Sequence, residues 1–295
     1  MDTQVWRDKA RHFTFQGHQI AYWTGGNESA KPLLLVHGFP TCSYDWAATW
    51  ETLGANHRLI ACDMLGFGLS DKPKDGFGGP TKGKGYTIHW QTDVQAALLD
   101  TLAVRDFDAL VHDYGVSVGQ EMLARQQGGF GFAELGQCLF LNGGIFPDQH
   151  RPVTMQKIGV SPFGFVLGAL MNRKAFGKSF SEVFGPSTKP SEAELDAFWE
   201  FIAHNHGHRI THKLLHYIAD RRTHKLRWEA ALVGAQDRIG LINGALDPVS
   251  GKHAFDKWRE VVPFARAHLL PDVGHYPQVE APERVAAKAL EWLDS

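Results

Sequence analysis

The feature of this sequence that most restricts its fold is the alternation of short apolar runs with longer amphipathic segments. Residues 32–38, PLLLVHG, form a nearly continuous apolar run, which is typical of a strand buried on both faces of a parallel sheet. Residues 89–104, HWQTDVQAALLDTLAV, carry apolar side chains at the three- and four-residue spacing of a helix. Repetition of such segments predicts an α/β fold with a mostly parallel sheet flanked by helices.

Eight strands are expected if residues 13–25 form two strands that turn at Gly17. The remaining strand-like runs lie at 32–38, 57–64, 108–112, 138–144, 238–247 and 265–270. The intervening segments predict helices, including one over 43–54 and a final one over 282–293. We therefore predict an eight-stranded sheet.

A helical insertion interrupts this alternation between about Ile145 and Trp228. The stretch has no strong strand pattern, and its helix-like segments are separated by glycine and proline. One of them begins at Ser191, where SEAE has the form of an N-terminal capping box. The predicted organisation is a core formed by 1–144 and 229–295, with a helical cap formed by 145–228.

Composition argues against several functional classes. The 295 residues are 43% hydrophobic and 21% charged, and the net charge is −2, so no basic surface for nucleic acid or for an anionic membrane is expected. The N-terminus lacks the apolar segment of a secretory signal, and no apolar run is long enough to cross a membrane. The three separated cysteines are typical of buried thiols in a reducing compartment. We expect a cytoplasmic monomer or homodimer that acts on a small molecule and water.

Two candidate nucleophiles lie four residues apart in the segment DALVHDYGVSVGQEML. Asp113 follows directly on the strand-like run, and Gly115 supplies the small residue that a tight strand-to-helix turn needs two positions later. Ser117 fits the G-x-S-x-G pattern, but its use would require the strand to continue through Asp113 and Gly115. A buried carboxylate inside a strand is costly. The residues therefore favour Asp113 at the turn and leave Ser117 as the alternative.

Two further residues complete a hydrolytic triad. Asp247 in NGALDPVS and His275 in PDVGHYPQ each lie in a loop just after a predicted strand. The chain order of nucleophile, acid and base is one that hydrolases use. The loop HGFP after the third strand adds the backbone N–H of Phe39, which is predicted to form an oxyanion hole with the N–H of Tyr114.

These motifs resemble those of the α/β-hydrolase superfamily, in its epoxide hydrolase and haloalkane dehalogenase branch. HGFPTCSYDW, DMLGFGLSDKP, HDYG, GALDP and GHYPQ carry the general resemblance. LNGGIFPDQHRP and FGPSTKPSEAEL make the chain similar, more narrowly, to the mesoderm-specific transcript protein group, over nearly its whole length. The resemblance implies the α/β-hydrolase fold and a triad of Asp113, Asp247 and His275 that needs no cofactor.

An aspartate nucleophile is suited to attack on saturated carbon, where it forms a covalent alkyl ester. His275, oriented by Asp247, would then activate water against that ester. The resemblance implies an epoxide hydrolase-like activity, and Tyr217 in LLHYIADRR is similar to the second of the two cap tyrosines that hydrogen-bond an epoxide oxygen. The chain has no match for the first cap tyrosine. It also carries Tyr114 and Phe39 where haloalkane dehalogenases have their halide donors.

Aromatic and histidine residues outside the triad predict the character of the pocket. The residues expected to contact a small apolar substrate are His37, Trp46, Phe163 and Phe198. Four cap histidines recur every four residues and would align on a continuous helix; they are His204, His208, His212 and His216. Gly207 interrupts the pattern, and no carboxylate accompanies the four histidines as a further ligand. We therefore expect a polar cap face and no metal site.

Four functions are consistent with these residues. The leading hypothesis is an epoxide hydrolase-like enzyme, and the first alternative is a haloalkane dehalogenase-type hydrolase with the same triad. A serine esterase that uses Ser117 is the second alternative, and a non-catalytic ligand-binding protein of the same fold is the third. The complete triad argues against the last, because ligand binding alone does not require it.

Overall fold

The computed structural model describes residues 1–73, 86–130, 133–152, 154–161 and 164–295. Its strands are β1 Arg11–Phe15, β2 His18–Gly26, β3 Pro32–Val36, β4 Arg58–Cys62, β5 Asp106–Val111, β6 Glu134–Phe140, β7 Ile239–Gly244 and β8 Arg266–Leu270. They form an eight-stranded sheet in the order β1-β2-β4-β3-β5-β6-β7-β8. The pairings of β2 with β1 and β4 are antiparallel and the others are parallel. The predicted α/β fold is confirmed.

Helices cover both faces of the sheet and fill the segment between β6 and β7. They are α1 Thr3–Asp8, α2 Trp50–Gly54, α3 Ile88–Thr101, α4 Tyr114–Gln127, α5 Thr154–Gly159, α6 Gly164–Leu170, α7 Arg173–Ser181, α8 Glu192–Ala203, α9 Thr211–Leu214, α10 Tyr217–Thr223, α11 Lys225–Val233, α12 Lys252–Val261, α13 Pro277–Glu280 and α14 Pro282–Leu293. No helix within the described ranges is long and apolar enough to cross a lipid bilayer.

Strand β3 illustrates how the sheet is buried on both faces. Leu34 and Val36 pack into an apolar cluster that also contains Val94 of α3. Leu33 packs into a second cluster that contains Leu53 of α2. Because successive side chains of a strand point to opposite faces, both faces of a central strand must be apolar when helices cover both. This requirement accounts for the uninterrupted apolar run that dominates the sequence.

Helices α5 to α10 form the insertion, whereas α11 is packed on the core. Trp228 Nε1 of α11 donates to Glu121 Oε2 of α4 at 2.8 Å, and Gln127 Nε2 of α4 donates to the Ala231 carbonyl at 2.8 Å. The predicted end of the cap at Trp228 therefore falls inside a helix that belongs to the core. The predicted capping box at Ser191 is present at the start of α8.

The helix predicted over 43–54 is divided into two short pieces. Residues Ser43–Trp46 form a 3₁₀ turn, and α2 begins only at Trp50. The Ser43 N–H and hydroxyl both donate to Asp63 Oδ1, at 2.8 and 2.6 Å, which ties this turn to the loop after β4. Side-chain bonds of this kind compete with helical ones, so the prediction of a continuous helix was wrong.

Helix α1 was not predicted from the sequence, and it is held by one tryptophan. Trp6 is fully buried, its ring stacks on that of Trp23 with centroids 5.3 Å apart, and its carbonyl accepts from Trp23 Nε1 at 2.7 Å. Trp6 Nε1 also lies 3.3 Å from the Ser43 hydroxyl oxygen, to which it donates. A six-residue helix is unstable alone, so this packing stabilises it.

We expect Trp6→Ala to lower the free energy of unfolding by about 3–5 kcal/mol, because the change removes a fully buried aromatic side chain. Urea denaturation should give a lower midpoint with an unchanged slope. Val5→Ala, at an exposed neighbouring position, is the matched control and should leave the midpoint nearly unchanged. An unchanged midpoint in Trp6→Ala would contradict the packing described for α1.

Candidate active site

Asp113 lies at a strained turn between a buried strand and a helix. Strand β5 ends at Val111, and α4 begins at Tyr114. Asp113 has a φ of 43° and a ψ of −101°, in the region that residues with a side chain rarely adopt. This strand–turn–helix arrangement is the geometry that exposes a nucleophile at the carboxyl edge of a sheet.

The turn is possible because glycines surround it. A Cβ added to Gly115 would lie 2.5 Å from the Val36 carbonyl oxygen of β3, and one added to Gly143 would lie 2.8 Å from the Asp113 Cα. The Gly115 N–H donates to the carbonyl of His112 at 2.7 Å. Close backbone packing of this kind supports a backbone conformation that would otherwise relax.

Ser117 occupies a different environment from Asp113. It lies inside α4, is fully buried, and its hydroxyl oxygen accepts a hydrogen bond from Arg221 Nε at 2.7 Å. Among the hydrogen bonds of the described residues, none joins Ser117 to a histidine. The serine hydroxyl therefore lacks the neighbouring base that activates a serine nucleophile.

The side chains of Asp113, Asp247 and His275 meet at the carboxyl edge of the sheet. Asp247 follows β7 and His275 follows β8. His275 Nδ1 lies 2.7 Å from Asp247 Oδ2, and His275 Nε2 lies 3.8 Å from Asp113 Oδ1. All three residues are buried. The imidazole is therefore oriented by one carboxylate and faces the other.

Asp247 is itself fixed by neighbouring donors. Its Oδ1 accepts from the Val249 N–H at 2.7 Å, and its Oδ2 accepts from the Ser250 hydroxyl at 2.6 Å and from Asn142 Nδ2 at 3.0 Å. Asn142 lies after β6, so donors from two adjacent strand ends converge on this carboxylate. The resulting network fixes the orientation of His275.

The charges of this cluster perturb each other. Burial acts to lower the pKa of His275, but the carboxylates of Asp247 and Asp113 outweigh it and raise the pKa to about 10. Burial acts to raise the pKa of Asp113, yet contact with His275 and the charge of Arg221 hold it well below its usual value. Burial likewise acts to raise the pKa of Asp247, but the charge of His275 outweighs burial and lowers that pKa. In the resting protein both carboxylates are therefore ionised at neutral pH.

The two residues predicted to form an oxyanion hole lie on either side of Asp113. The Phe39 N–H donates to Asp113 Oδ2 at 3.0 Å, and the Phe39 carbonyl accepts from the Tyr276 hydroxyl at 2.8 Å, which anchors the loop. Tyr114 is the first residue of α4, so its N–H has no acceptor within the helix. The Phe39 N–H therefore contacts the Asp113 carboxylate directly, whereas the contribution of the Tyr114 N–H stays a prediction.

Tyr217 reaches this region from the cap. It begins α10 and is fully buried, with its ring centroid 4.9 Å from that of Tyr114 and 6.1 Å from that of Phe39. Its ring also lies beneath the Arg221 guanidinium, whose carbon is 4.4 Å from the ring centroid. The predicted cap tyrosine is therefore brought together with both predicted oxyanion-hole residues.

Arg221 was not identified from the sequence, although it contacts the turn directly. It is 2% exposed, and its Nη2 donates to the Asp113 carbonyl at 2.7 Å while lying 3.8 Å from Asp113 Oδ1. Arg221 follows Tyr217 by four residues and so lies on the same face of α10. That spacing was the available signal, and it distinguishes Arg221 from the exposed Arg222 beside it.

Two predicted pocket residues instead have structural positions. His37 is fully buried, and its Nε2 accepts from the Met64 N–H at 3.0 Å, which ties β3 to the loop after β4. Burial lowers the pKa of His37 despite the nearby carboxylate of Asp63. Trp46 packs in the cluster on the sheet face that contains Leu33, whereas Tyr114 and Tyr217 belong to the cluster on the other face. His37 and Trp46 therefore have structural contacts, and contact of either residue with a substrate stays a prediction.

The other two predicted pocket residues have different outcomes. Phe198 packs within the cap cluster, where its ring centroid lies 5.1 Å from that of Phe180. The same cluster includes Tyr276, which follows His275, so Phe198 is separated from the triad by a layer of aromatic rings. Phe163 lies outside the described residues.

The four cap histidines do not share one helix. Helix α8 ends at Ala203, and residues His204–Ile210 form a 3₁₀ segment in which Asn205 and His206 have positive φ. His212 lies in α9, and His216 precedes α10. Within the part of the chain that the structure describes, no group of three or more histidine, cysteine, aspartate or glutamate side chains could hold a metal ion.

Comparison with known sequences relates the chain to hydrolases. Residues 33–288 match the model of the alpha/beta hydrolase family. The chain is 39% identical to the human mesoderm-specific transcript homolog protein over 290 residues, which cover 94% of this chain and 83% of that protein. It is 33% identical to the putative hydrolase LipZ of Mycobacterium tuberculosis over 288 residues, or 98% of this chain and 96% of LipZ.

A more distant relative is the cis-3-alkyl-4-alkyloxetan-2-one decarboxylase of Shewanella oneidensis, which is 29% identical over 289 residues, or 93% of this chain and 85% of that enzyme. Among solved structures, the epoxide hydrolase CorEH aligns with a TM-score of 0.75 and 18% identity, covering 97% of this chain and 98% of that one. The haloalkane dehalogenase DbeA of Bradyrhizobium elkani aligns with a TM-score of 0.77 and 22% identity, covering 97% of both chains. These two structures establish similarity of fold.

We expect Gly115→Ala to lower the free energy of unfolding by roughly 1–3 kcal/mol, because the added methyl group meets backbone atoms of β3 that cannot rotate away. The same change should displace Asp113 and reduce turnover. Gly119→Ala, one turn later in α4, meets only side chains and is the matched control, with a smaller loss expected. Equal midpoints of chemical denaturation for the two variants would contradict the role assigned to Gly115.

Proposed function

The chain belongs to the alpha/beta hydrolase family, and we propose that it is an epoxide hydrolase-like enzyme in which Asp113 attacks a small apolar substrate. The observation that carries the proposal is the position of the Asp113 carboxylate. One oxygen accepts from the Phe39 N–H at 3.0 Å, and the other faces His275 Nε2 at 3.8 Å. A carboxylate in this position is suited to attack carbon, and water can then hydrolyse the ester and regenerate the carboxylate.

In the first step, Asp113 Oδ1 forms a bond to a saturated carbon while the bond from that carbon to the leaving group breaks. The product is an alkyl ester of Asp113. Oδ1 is the attacking atom in this proposal because Oδ2 is already engaged by Phe39. The low pKa of Asp113 keeps the nucleophile ionised at neutral and mildly acidic pH.

In the second step, His275 removes a proton from water, and the water oxygen attacks the ester carbonyl carbon of Asp113. Negative charge then develops on Oδ2, which already accepts from the Phe39 N–H, and the N–H of Tyr114 is the proposed second donor. Collapse of this intermediate expels the alkoxide, which takes the proton from His275 and leaves as the alcohol. The second proton of the water is released as the carboxylate is restored. Asp247 stabilises the imidazolium that forms, because its Oδ2 lies 2.7 Å from His275 Nδ1.

The first step prepares the base for the second step. In the resting protein two carboxylates raise the His275 pKa to about 10, so the imidazole is protonated at neutral pH. Formation of the ester removes the negative charge of Asp113, and the His275 pKa must then fall. The neutral imidazole needed for water activation therefore becomes available only after the nucleophile has reacted.

Tyr217 is the proposed donor to an epoxide oxygen. It is fully buried and packs against both Phe39 and Tyr114, which flank the nucleophile. The aromatic rings of these three residues favour an apolar substrate at this position.

A haloalkane dehalogenase-type reaction would use the same triad. The serine esterase alternative is disfavoured because the Ser117 hydroxyl is bonded to Arg221.

The test of this proposal is to trap the ester. His275→Ala should accumulate a covalent adduct when incubated with a panel of epoxides, haloalkanes and esters, because the second step lacks its base. Intact mass and peptide mapping should assign the adduct to Asp113. Ser117→Ala in the same background should react equally, whereas Asp113→Asn should not react. An adduct on Ser117, or no adduct and no wild-type turnover across the panel, would refute the proposal.

The two steps should respond differently to pH. Alkylation needs ionised Asp113, whose pKa is held low, so its rate should be nearly constant from about pH 5 to about pH 8. Hydrolysis needs neutral His275, so its rate should fall by about tenfold per pH unit below the His275 pKa of the ester form. Rapid-quench mass spectrometry should therefore detect more ester at about pH 5 than at about pH 8. Equal ester levels at both pH values would contradict this coupling.

A further inference from the structure

Beside Asp113 lies a pair of shielded nitrogen donors that the proposed reaction does not use. Arg221 Nη1 is buried and has no hydrogen-bond partner among the described residues. Both ring nitrogens of His150 are shielded from solvent and are likewise without partners in the described part of the chain. Shielded polar groups of this kind are costly unless a bound molecule or water satisfies them.

The direction of Arg221 Nη1 is fixed by the rest of the guanidinium. Nε donates to Ser117 Oγ at 2.7 Å, Nη2 donates to the Asp113 carbonyl at 2.7 Å, and the group is stacked on the ring of Tyr217. A guanidinium is planar, so two bonds and a stacked face leave Nη1 with one orientation. The donor is held in place before any ligand arrives.

Gly144 brings Nη1 and His150 together. A Cβ at Gly144 would overlap Arg221 Nη1 and would lie 3.2 Å from His150 Nδ1, so both nitrogens pack against the face of this glycine that a side chain would occupy. Burial, and then the Arg221 charge, lower the pKa of His150 to about 4. The imidazole is therefore neutral at pH 7 and offers one N–H donor beside the guanidinium.

The charge balance favours an anionic ligand. Arg221 carries a buried positive charge, and its shortest separation from an oxygen of the Asp113 carboxylate is 3.8 Å, too long for a hydrogen bond. When Asp113 becomes an ester, that carboxylate loses its charge, and the buried guanidinium then has no carboxylate within 4 Å among the described residues. A negative group on the substrate side would then compensate Arg221.

We propose that Arg221 Nη1 and His150 form a carboxylate-binding subsite next to the nucleophile. The inference rests on the proposed function and names the substrate class: a small molecule whose apolar part packs on the aromatic rings and whose reacting carbon is close to a carboxylate, or to a group that becomes one in the reaction. Nη1 of the guanidinium and an imidazole N–H beside it supply one charged and one neutral donor for the two oxygens of a carboxylate. The carboxylate has two possible sources, which the experiment below separates.

In the first source the substrate carries the carboxylate, as in an epoxide of an acrylic acid. Asp113 Oδ1 bonds to a ring carbon, the ring C–O bond breaks, and the oxygen takes the electron pair and a proton from Tyr217.

In the second case the substrate is a β-lactone. Asp113 Oδ1 bonds to the saturated ring carbon, the alkyl C–O bond breaks, and the pair leaves on the new carboxylate, which needs no proton. Hydrolysis of the ester by water then follows as above.

Binding is tested without turnover. Calorimetric titration of Asp113→Asn with butyrate should give at least tenfold tighter binding than titration with the neutral isostere butyramide. Arg221→Met and His150→Leu in that background should each remove the preference. Arg222→Met, at the exposed neighbouring arginine, should leave it unchanged. His150→Leu guards against a folding defect in Arg221→Met, because the His150 side chain makes no hydrogen bond to the described residues.

Turnover then identifies the source of the carboxylate. Wild-type protein is assayed with glycidate against glycidamide, and with β-butyrolactone against propylene oxide. In one of the two pairs, the substrate that carries or forms a carboxylate should have a kcat/KM at least tenfold higher than that of the other substrate. His150→Leu should abolish this difference. The pair in which the difference occurs identifies the source of the carboxylate.

The two proposals fail in distinguishable ways. Equal binding of butyrate and butyramide would overturn the subsite even if neutral epoxides are turned over. Equal losses on charged and neutral substrates in both variants would also overturn it and leave Arg221 as a positioning residue for the turn. Preferential butyrate binding without turnover of any substrate would support the subsite and refute the proposed function.

Discussion

Asp113 has a backbone conformation that an L-residue keeps only when its surroundings hold it there. Its positive φ places the carboxylate at the carboxyl edge of the sheet, between β5 and α4. The elements that hold it are distant in sequence. Gly115 packs on the backbone of β3, Gly143 packs on the Asp113 Cα, and Arg221 of the cap donates to the Asp113 carbonyl. The position of the nucleophile therefore depends on the core and the cap together.

The same geometry determines the electrostatics of the site. Two buried carboxylates face one imidazole from opposite sides, and the Arg221 guanidinium lies beside the first of them. Buried charges persist only when they are paired, so the four groups form one interdependent cluster. A change in the charge of Asp113 must alter the protonation of His275 and the balance around Arg221. In the proposed reaction, that redistribution of charge couples the two chemical steps.

The sequence alone predicted those features that follow from strand order. Asp113, Asp247 and His275 each follow a strand of a parallel sheet, and the carboxyl ends of such strands meet at one edge. Their proximity could therefore be predicted without a model of the cap. The division of 43–54 was missed because it depends on bonds between Ser43 and Asp63, which are twenty positions apart.

Residues contributed by the cap were harder to predict. Tyr217 was identified through a resemblance, but Arg221 and His150 were not, because their relation to Asp113 depends on how the insertion folds over the sheet. The packing of Trp46 was hard to predict for a related reason, since an aromatic residue near a catalytic loop can pack on either face of the sheet. Periodicity identifies buried positions without revealing which cluster they join.

In the proposed mechanism the new hydroxyl oxygen of the product comes from the Asp113 carboxylate, and isotope labelling follows that oxygen. A single turnover in ¹⁸O-labelled water, with enzyme in excess over a turned-over epoxide, is followed by mass spectrometry of the product and of the peptide that contains Asp113. The account predicts an unlabelled product and one labelled oxygen in the Asp113 side chain, because water attacks the ester carbonyl. A labelled product with an unlabelled Asp113 would mean that water attacks the substrate directly, and would contradict the account.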